Sequence, residues 1–245
     1  MLASVVFVPS APLLVPALAG PRAVDTEEVR AATLAAGRDL AADASTWIAI
    51  GATDSGIDQV GSAGTFLPFG VDVPVFLDGS DGDGRPDEQS PLRPGLPLSF
   101  LIAGWLRAES GAAAVRPVPV SSTATATECA QLGTQLAARV DGHREPVGIL
   151  VVGDGATSLS ARAPGGGMRE SGARLQQVID AAIGSADVAA LAGLDPDECA
   201  TEGVSGRAAW QVVSALCADR PMRPELRYAR APFGVGYVVA VWTPR

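Results

Sequence analysis

The chain has no lysine and no asparagine, and it has one histidine in 245 residues. Each absence removes a class of chemistry. Without lysine there is no Schiff-base nucleophile and no phosphate-cradling P-loop lysine. Without asparagine, the Gly153-Asp154-Gly155 turn does not complete a thiamine-diphosphate metal site, whose motif needs downstream asparagines. With one imidazole, any Ser-His-Asp or Cys-His arrangement has to use His143 as its base. That residue lies in "VDGHREP", between a helical stretch and a strand, and reads as a solvated loop residue.

Cysteine is also scarce. Cys129, Cys199 and Cys217 are widely spaced, form no CxxC pair and are odd in number. They read as reduced thiols of a cytoplasmic protein rather than a disulfide framework. Positive charge is short too: 18 arginines face 27 acids, for a net charge of −9 and a pI near 4.6. That excludes sequence-independent nucleic-acid binding, which needs a basic face, and an anionic membrane surface as partner. No stretch reaches about 18 apolar residues, and "MLASVVFVPS" lacks a basic leader region. A soluble, cytosolic protein is expected.

What is present is apolar periodicity. Apolar residues make up 47% of the chain and charged ones 18%, as in globular proteins. Strands are expected at 3–8, 46–52, 114–120, 147–152, 225–230 and 235–242. The run "VGILVV" (147–152) reads as the most central of them, and the prolines of "AVRPVPV" place 114–120 toward an edge. Helices are expected at 25–44 (capped by Asp25 or Thr26), after Pro97 to 110, at 126–140, and near 168–184, 186–192 and 207–218. Alternating strands and helices predict an α/β fold: three layers, α/β/α, around a largely parallel or mixed sheet, in one domain spanning 1–245.

The loops that follow the strands carry the candidate chemistry, because ligands of α/β sheets bind at strand carboxyl ends. Ser10 follows the first strand and the Thr53–Asp54 pair follows the second. Asp154, Thr157 and Arg162 lie in "GDGATSLSARAPGGG" (153–167). Arg162 is the candidate for recognising an anion, and the glycines of 164–167 read as a chain reversal with positive φ. A separate loop, "LDGSDGDGRPDEQSP" (77–91), groups Asp78, Asp81, Asp83, Asp87 and Glu88. It reads as an acidic surface loop, with calcium as the alternative although the EF-hand pattern is incomplete.

The order of these motifs resembles the B subunit of class III extradiol ring-cleavage dioxygenases and the related Memo-like proteins. "VPSAPLLVPALAG" is similar to the family's opening loop, where a His-Pro pair precedes the apolar run. "WIAIGATDSG" is similar to a strand that ends in Ser-Pro-His. "GDGATSLSARAPGGG" resembles a Gly-Asp-Leu-Ser-His segment running into Ala-Pro-Gly-Gly. "LAGLDPDECATEGVSGRAAWQVVSAL" resembles the late helical segment with its Cys-Gly or acidic pair, and "APFGVGYVVAVW" the closing strand.

The resemblance implies a non-haem Fe(II) on two histidines and a carboxylate, with a further histidine as acid–base group. Carried across, the histidine positions hold Ser10, Thr53 and Thr157, and the late-helix cysteine is Ser205. No alignment supplies two imidazoles. The first expectation is therefore a metal-free member of that superfamily, binding a small polar or aromatic ligand or a partner chain in the former active-site pocket, with Ser10, Thr53, Asp54, Asp154, Thr157, Arg162 and Ser205 around it. The second is a rebuilt oxygen-ligand site on Asp54, Asp154 and Glu202, with Asp58 nearby, suited to Mg²⁺, Mn²⁺ or Ca²⁺. The third is ring cleavage with histidines from a small partner subunit. The family's paired subunits also imply a homodimer.

Overall fold

A computed structural model describes residues 1–20, 24–54, 60–79 and 95–245. Asp58 and most of the acidic 77–91 loop lie outside the described residues. The strands are β1 (Leu2–Val8), β2 (Thr46–Thr53), β3 (Ala63–Thr65), β4 (Pro74–Phe76), β5 (Ala114–Ser121), β6 (Val147–Val152), β7 (Met222–Arg230) and β8 (Tyr237–Pro244). The helices are α1 (Pro16–Ala19), α2 (Val24–Asp43), α3 (Leu98–Ser110), α4 (Ala126–Asp141), α5 (Glu170–Ser185), α6 (Val188–Ala192), α7 (Pro196–Glu202) and α8 (Arg207–Leu216).

Six strands form one mixed sheet in the order β5-β2-β6-β1-β8-β7. The first four run parallel, β8 is antiparallel to β1, and β7 is antiparallel to β8. β6 is flanked by β1 and β2, and all six of its residues are buried. An uncharged apolar run is what a strand covered on both faces requires. β5 is an edge strand whose ladder is with β2, apart from one isolated bridge between Ala114 and Asp78, so Pro117 and Pro119 lack N–H donors without breaking a second ladder.

Side chains alternate between two cores. Val5, Phe7, Ile149 and Val151 pack under α4, α5, α6, α7 and α8, while Val6, Val8, Leu150 and Val152 pack under α2 and α3. The fold is therefore α/β, with helices on both faces of a mixed sheet. α4 starts on a capping box in which Thr125 and Glu128 bond each other's backbone amides, closing two otherwise unpaired donors. One expected cap is corrected. α2 already begins at Val24, so Asp25 and Thr26 lie inside its first turn; Thr26 is buried and its hydroxyl accepts from Arg30 at 2.9 Å. The helices expected near 186–192 and 207–218 are α6, capped by Asp187, and α8; between them lies an unexpected helix, α7, which Asp195 caps and Gly203, at φ +71°, ends.

Candidate functional site

Four parallel strands put their carboxyl ends on one edge of the sheet, and register fixes which residues share a rung there. Val8 and Gly51 both align with Val152, so two residues further on Ser10 and Thr53 flank Asp154. Phe7 aligns with Ala240, so three residues on, Tyr237 stands opposite Ser10. Val8, Val152 and Val239, each two residues away, belong to the core under α2 and α3, and Gly51 is packed against Ser99 of α3. Thr53, Asp154, Ser10 and Tyr237 therefore form a polar row on one face, across β2, β6, β1 and β8.

The row is tied together around Asp154. Its Oδ1 accepts the Ser10 backbone N–H at 2.8 Å, its own N–H donates to Ser205 Oγ at 3.1 Å, and its carbonyl accepts from Gly206 N–H at 2.9 Å. The second carboxyl oxygen, Oδ2, has no hydrogen-bond partner among the described residues. Burial pushes the Asp154 carboxyl up to about 7, with the Ser10 N–H pulling the other way. Burial raises the Tyr237 phenol too, and the Asp154 charge adds to that. A carboxyl poised near neutrality at a strand end suits ligand recognition or proton transfer.

The neighbouring carboxylate behaves differently. Glu202 is buried, and its Oε2 accepts from Ser158 Oγ at 2.5 Å and from Arg169 Nε at 2.9 Å. Its Oε1 accepts from Ser171 at 2.7 Å. Led by the Ser158 bond, these interactions hold it below the usual carboxylate range. Arg169 also reaches the carbonyls of Gly165 and Thr201, so the group clips the 153–169 loop to α7. Sequence alone read Glu202 as a metal candidate or a solvated helix end. It is neither free of partners nor solvated, because three side chains already occupy its oxygens.

Thr157 is turned to the same clip. Its N–H and hydroxyl both donate to the Glu202 carbonyl, at 2.8 and 3.3 Å, and it packs against Gly165 and Gly203. That is a structural engagement rather than a place on the polar row. Gly166 and Gly167, at φ +90° and +104°, make the expected reversal. Arg162 is exposed on the loop. Asp54, exposed at the end of β2, accepts from Ser122 Oγ at the end of β5. Behind Ser122, the buried Arg207 donates to the Ser122 and Ala124 carbonyls. Among the described residues, no three His, Cys, Asp or Glu side chains come together as a metal-holding group, so Asp54, Asp154 and Glu202 do not form the expected oxygen-ligand cluster.

His143 lies at the opposite end of the sheet, beside Thr46 and Val147, which begin β2 and β6. Six residues of strand separate it from the polar row, or ~20 Å at about 3.3 Å per residue. The donor set at the row, hydroxyls and one open carboxylate oxygen, does not fit Fe(II) held by two imidazoles. Sequence reasoning missed Tyr237, Ser122, Arg169 and Arg207. Only Tyr237 had a signal: the alternation Tyr237, Val239, Val241 puts it on the face of the row.

No family model matches the chain, and no curated protein is similar to it. Among solved structures it is similar to the uncharacterized protein JW3007 from Escherichia coli K12, with a TM-score of 0.51 and 12% identity over 98% of this chain and 99% of that one. At that identity the likeness shows the fold alone. No helix among the described residues is long and apolar enough to cross a membrane.

Proposed function

We propose that the chain is a cytoplasmic, metal-free member of the class III extradiol dioxygenase B-subunit superfamily, which binds a small polar or aromatic ligand where its relatives cleave rings. One observation carries this reading: the rung at the carboxyl ends of β1, β2 and β6 offers Ser10, Thr53 and Asp154, while the chain's only imidazole is ~20 Å away. A neutral hydroxyl binds iron weakly but hydrogen-bonds a polar ligand well. Asp154 anchors the ligand through Oδ2, with its geometry set by the Ser10 N–H, Ser205 and Gly206. Glu202 and Arg169 hold the loop that shapes this side of the crevice.

The test uses untagged protein. Its metal content is measured by elemental mass spectrometry, oxygen uptake is followed with Fe(II) and catechol, and backbone amide resonances are followed while polar aromatics are added. The reading expects no stoichiometric iron, no oxygen uptake, and shifts confined to the amides around Ser10, Thr53 and Asp154. Stoichiometric iron with catechol-dependent oxygen uptake would sink it, and would point to histidines supplied by a partner subunit.

A second reading has one observation in its favour. The Asp154 carboxyl, pushed up to about 7, suits a general acid or base of a rebuilt, non-oxidative enzyme. It requires a hydrolytic or Lewis-acid turnover that disappears in Asp154→Asn.

A further inference from the structure

The groups open on the polar row differ in kind from the groups that are tied. Asp154 Oδ2 and the hydroxyls of Tyr237 and Tyr228 have no hydrogen-bond partner among the described residues. Both tyrosines are more than nine-tenths buried, and Tyr237 interacts electrostatically with Asp154 on one side and Tyr228 on the other. Tyr228 then walls a groove of about 700 Å³ between the start of α2 and the end of β7, where Asp25, Glu27 and Glu28 line the opposite side. A carboxylate oxygen, two phenols and an acidic groove thus follow one another along the same edge of the sheet.

The cations near this edge are already held. Arg30 of α2 donates to the Leu13 and Leu14 carbonyls and to Thr26. Arg230 pairs with Glu28 and lies over the Tyr228 ring, with its guanidinium carbon 5.8 Å from the centroid. Arg169 pairs with Glu202, and Arg207 serves backbone carbonyls. Asp54 adds a second exposed carboxylate at the end of β2, and Arg162, exposed on its loop, is the opposing charge. The balance of charge is negative, as it is for the whole chain at −9. Such a field, ending on an open carboxylate oxygen, selects a positive group.

We propose that the crevice takes an organic cation: a ligand that presents a primary or secondary ammonium to Asp154 Oδ2, beside the Tyr237 hydroxyl, and extends an aromatic or apolar body along this edge toward the acidic groove. This rests on the reading of the edge as a ligand crevice and adds the class of ligand. An ammonium donates to the carboxylate and can donate to a phenol oxygen. A carboxylate ligand would meet Asp154 as a like charge. A neutral alcohol would satisfy the hydrogen bonds without using the field.

The test compares three probes of one shape, 4-methylbenzylamine, 4-methylbenzyl alcohol and 4-methylbenzoate, by calorimetry and amide chemical shifts at pH 8. The amine is expected to bind and to move the amides of Ser10, Asp154 and Tyr237. Asp154→Asn, whose side-chain oxygen still accepts the Ser10 N–H, is expected to weaken that binding about tenfold or more, and Tyr237→Phe about threefold. Thermal melts confirm that each variant is folded. Amine binding unchanged by Asp154→Asn would overturn the proposal. So would the alcohol or the benzoate moving the same amides while the amine does not; that outcome rejects the cation and leaves the ligand crevice standing. If none of the three moves those amides at millimolar concentration, the crevice reading fails as well.

Discussion

Asp154 and Glu202 are both enclosed carboxylates, and both touch the same glycine-rich loop, yet they titrate in opposite directions. Glu202 accepts from two hydroxyls and a guanidinium and is held below its ordinary range. Asp154 accepts one backbone N–H and is pushed up to about 7. Enclosure is common to both; the number of donors aimed at each differs. The fully supplied carboxylate acts as a structural clip. The under-supplied one keeps an oxygen that no described residue meets. Around one loop, the count of donors separates a residue that holds the fold from one left with an open oxygen.

The sharpest way to break this comparison is to remove the clip. Glu202→Ala leaves Arg169 and two hydroxyls facing an empty space, and is expected to cost about 3 kcal/mol of stability, discounted because Arg169 is partly exposed. Equilibrium denaturation measures it; a cost under about 1 kcal/mol would show that the clip is ornamental.

The next effect is the pH dependence, and its sign differs between the two groups. The Asp154 carboxyl is raised, so between about pH 4 and 7 the folded chain keeps a proton that the unfolded chain has released. Its contribution to stability is present at low pH and is lost as the pH rises toward 7. Relative to wild type, Asp154→Asn should therefore gain about 2 kcal/mol across that window, after allowing for the group's partial contact with solvent. Glu202, held low, contributes stability above its ordinary value that is lost as the pH falls through its folded value, so Glu202→Gln should differ least from wild type in acid. Matching slopes for the two variants would erase the distinction.

A smaller effect separates space from charge. Gly203 sits at φ +71°, and an added Cβ would lie 2.2 Å from Thr157 Oγ1. Gly203→Ala is expected to cost about 1–2 kcal/mol by straining the clip side without altering the Asp154 titration. The smallest effect belongs to the far end of the sheet. His143→Ala should leave stability within about 0.5 kcal/mol and leave ligand shifts at Ser10 and Asp154 unchanged; a change at the crevice would mean that the imidazole reaches it after all.

Strand and helix identities were largely readable along the chain, for a local reason. The run "VGILVV" has no charge to place on a wet face, and the prolines of "AVRPVPV" forbid a two-sided ladder. Both constraints act within a few residues, and β6 and β5 follow them. The short helix α7 was also written in local capping chemistry, with Asp195 at its start and Gly203 at its end, and was missed because its seven residues carry too little apolar periodicity. The arrival of Ser10, Thr53 and Asp154 at the same edge was legible too, since each follows a parallel strand.

What only tertiary structure decided is which of those groups is already partnered. Glu202 meets Ser158, Arg169 and Ser171 across 44, 33 and 31 residues, and Thr157 joins that clip rather than the polar row. Tyr237 reaches the row through antiparallel pairing of the last strand with the first. By itself, the sequence determined what chemistry was absent, because a histidine that is not encoded cannot be supplied by folding. The fold determined which carboxylate stayed open, because donors are counted in space and not along the chain.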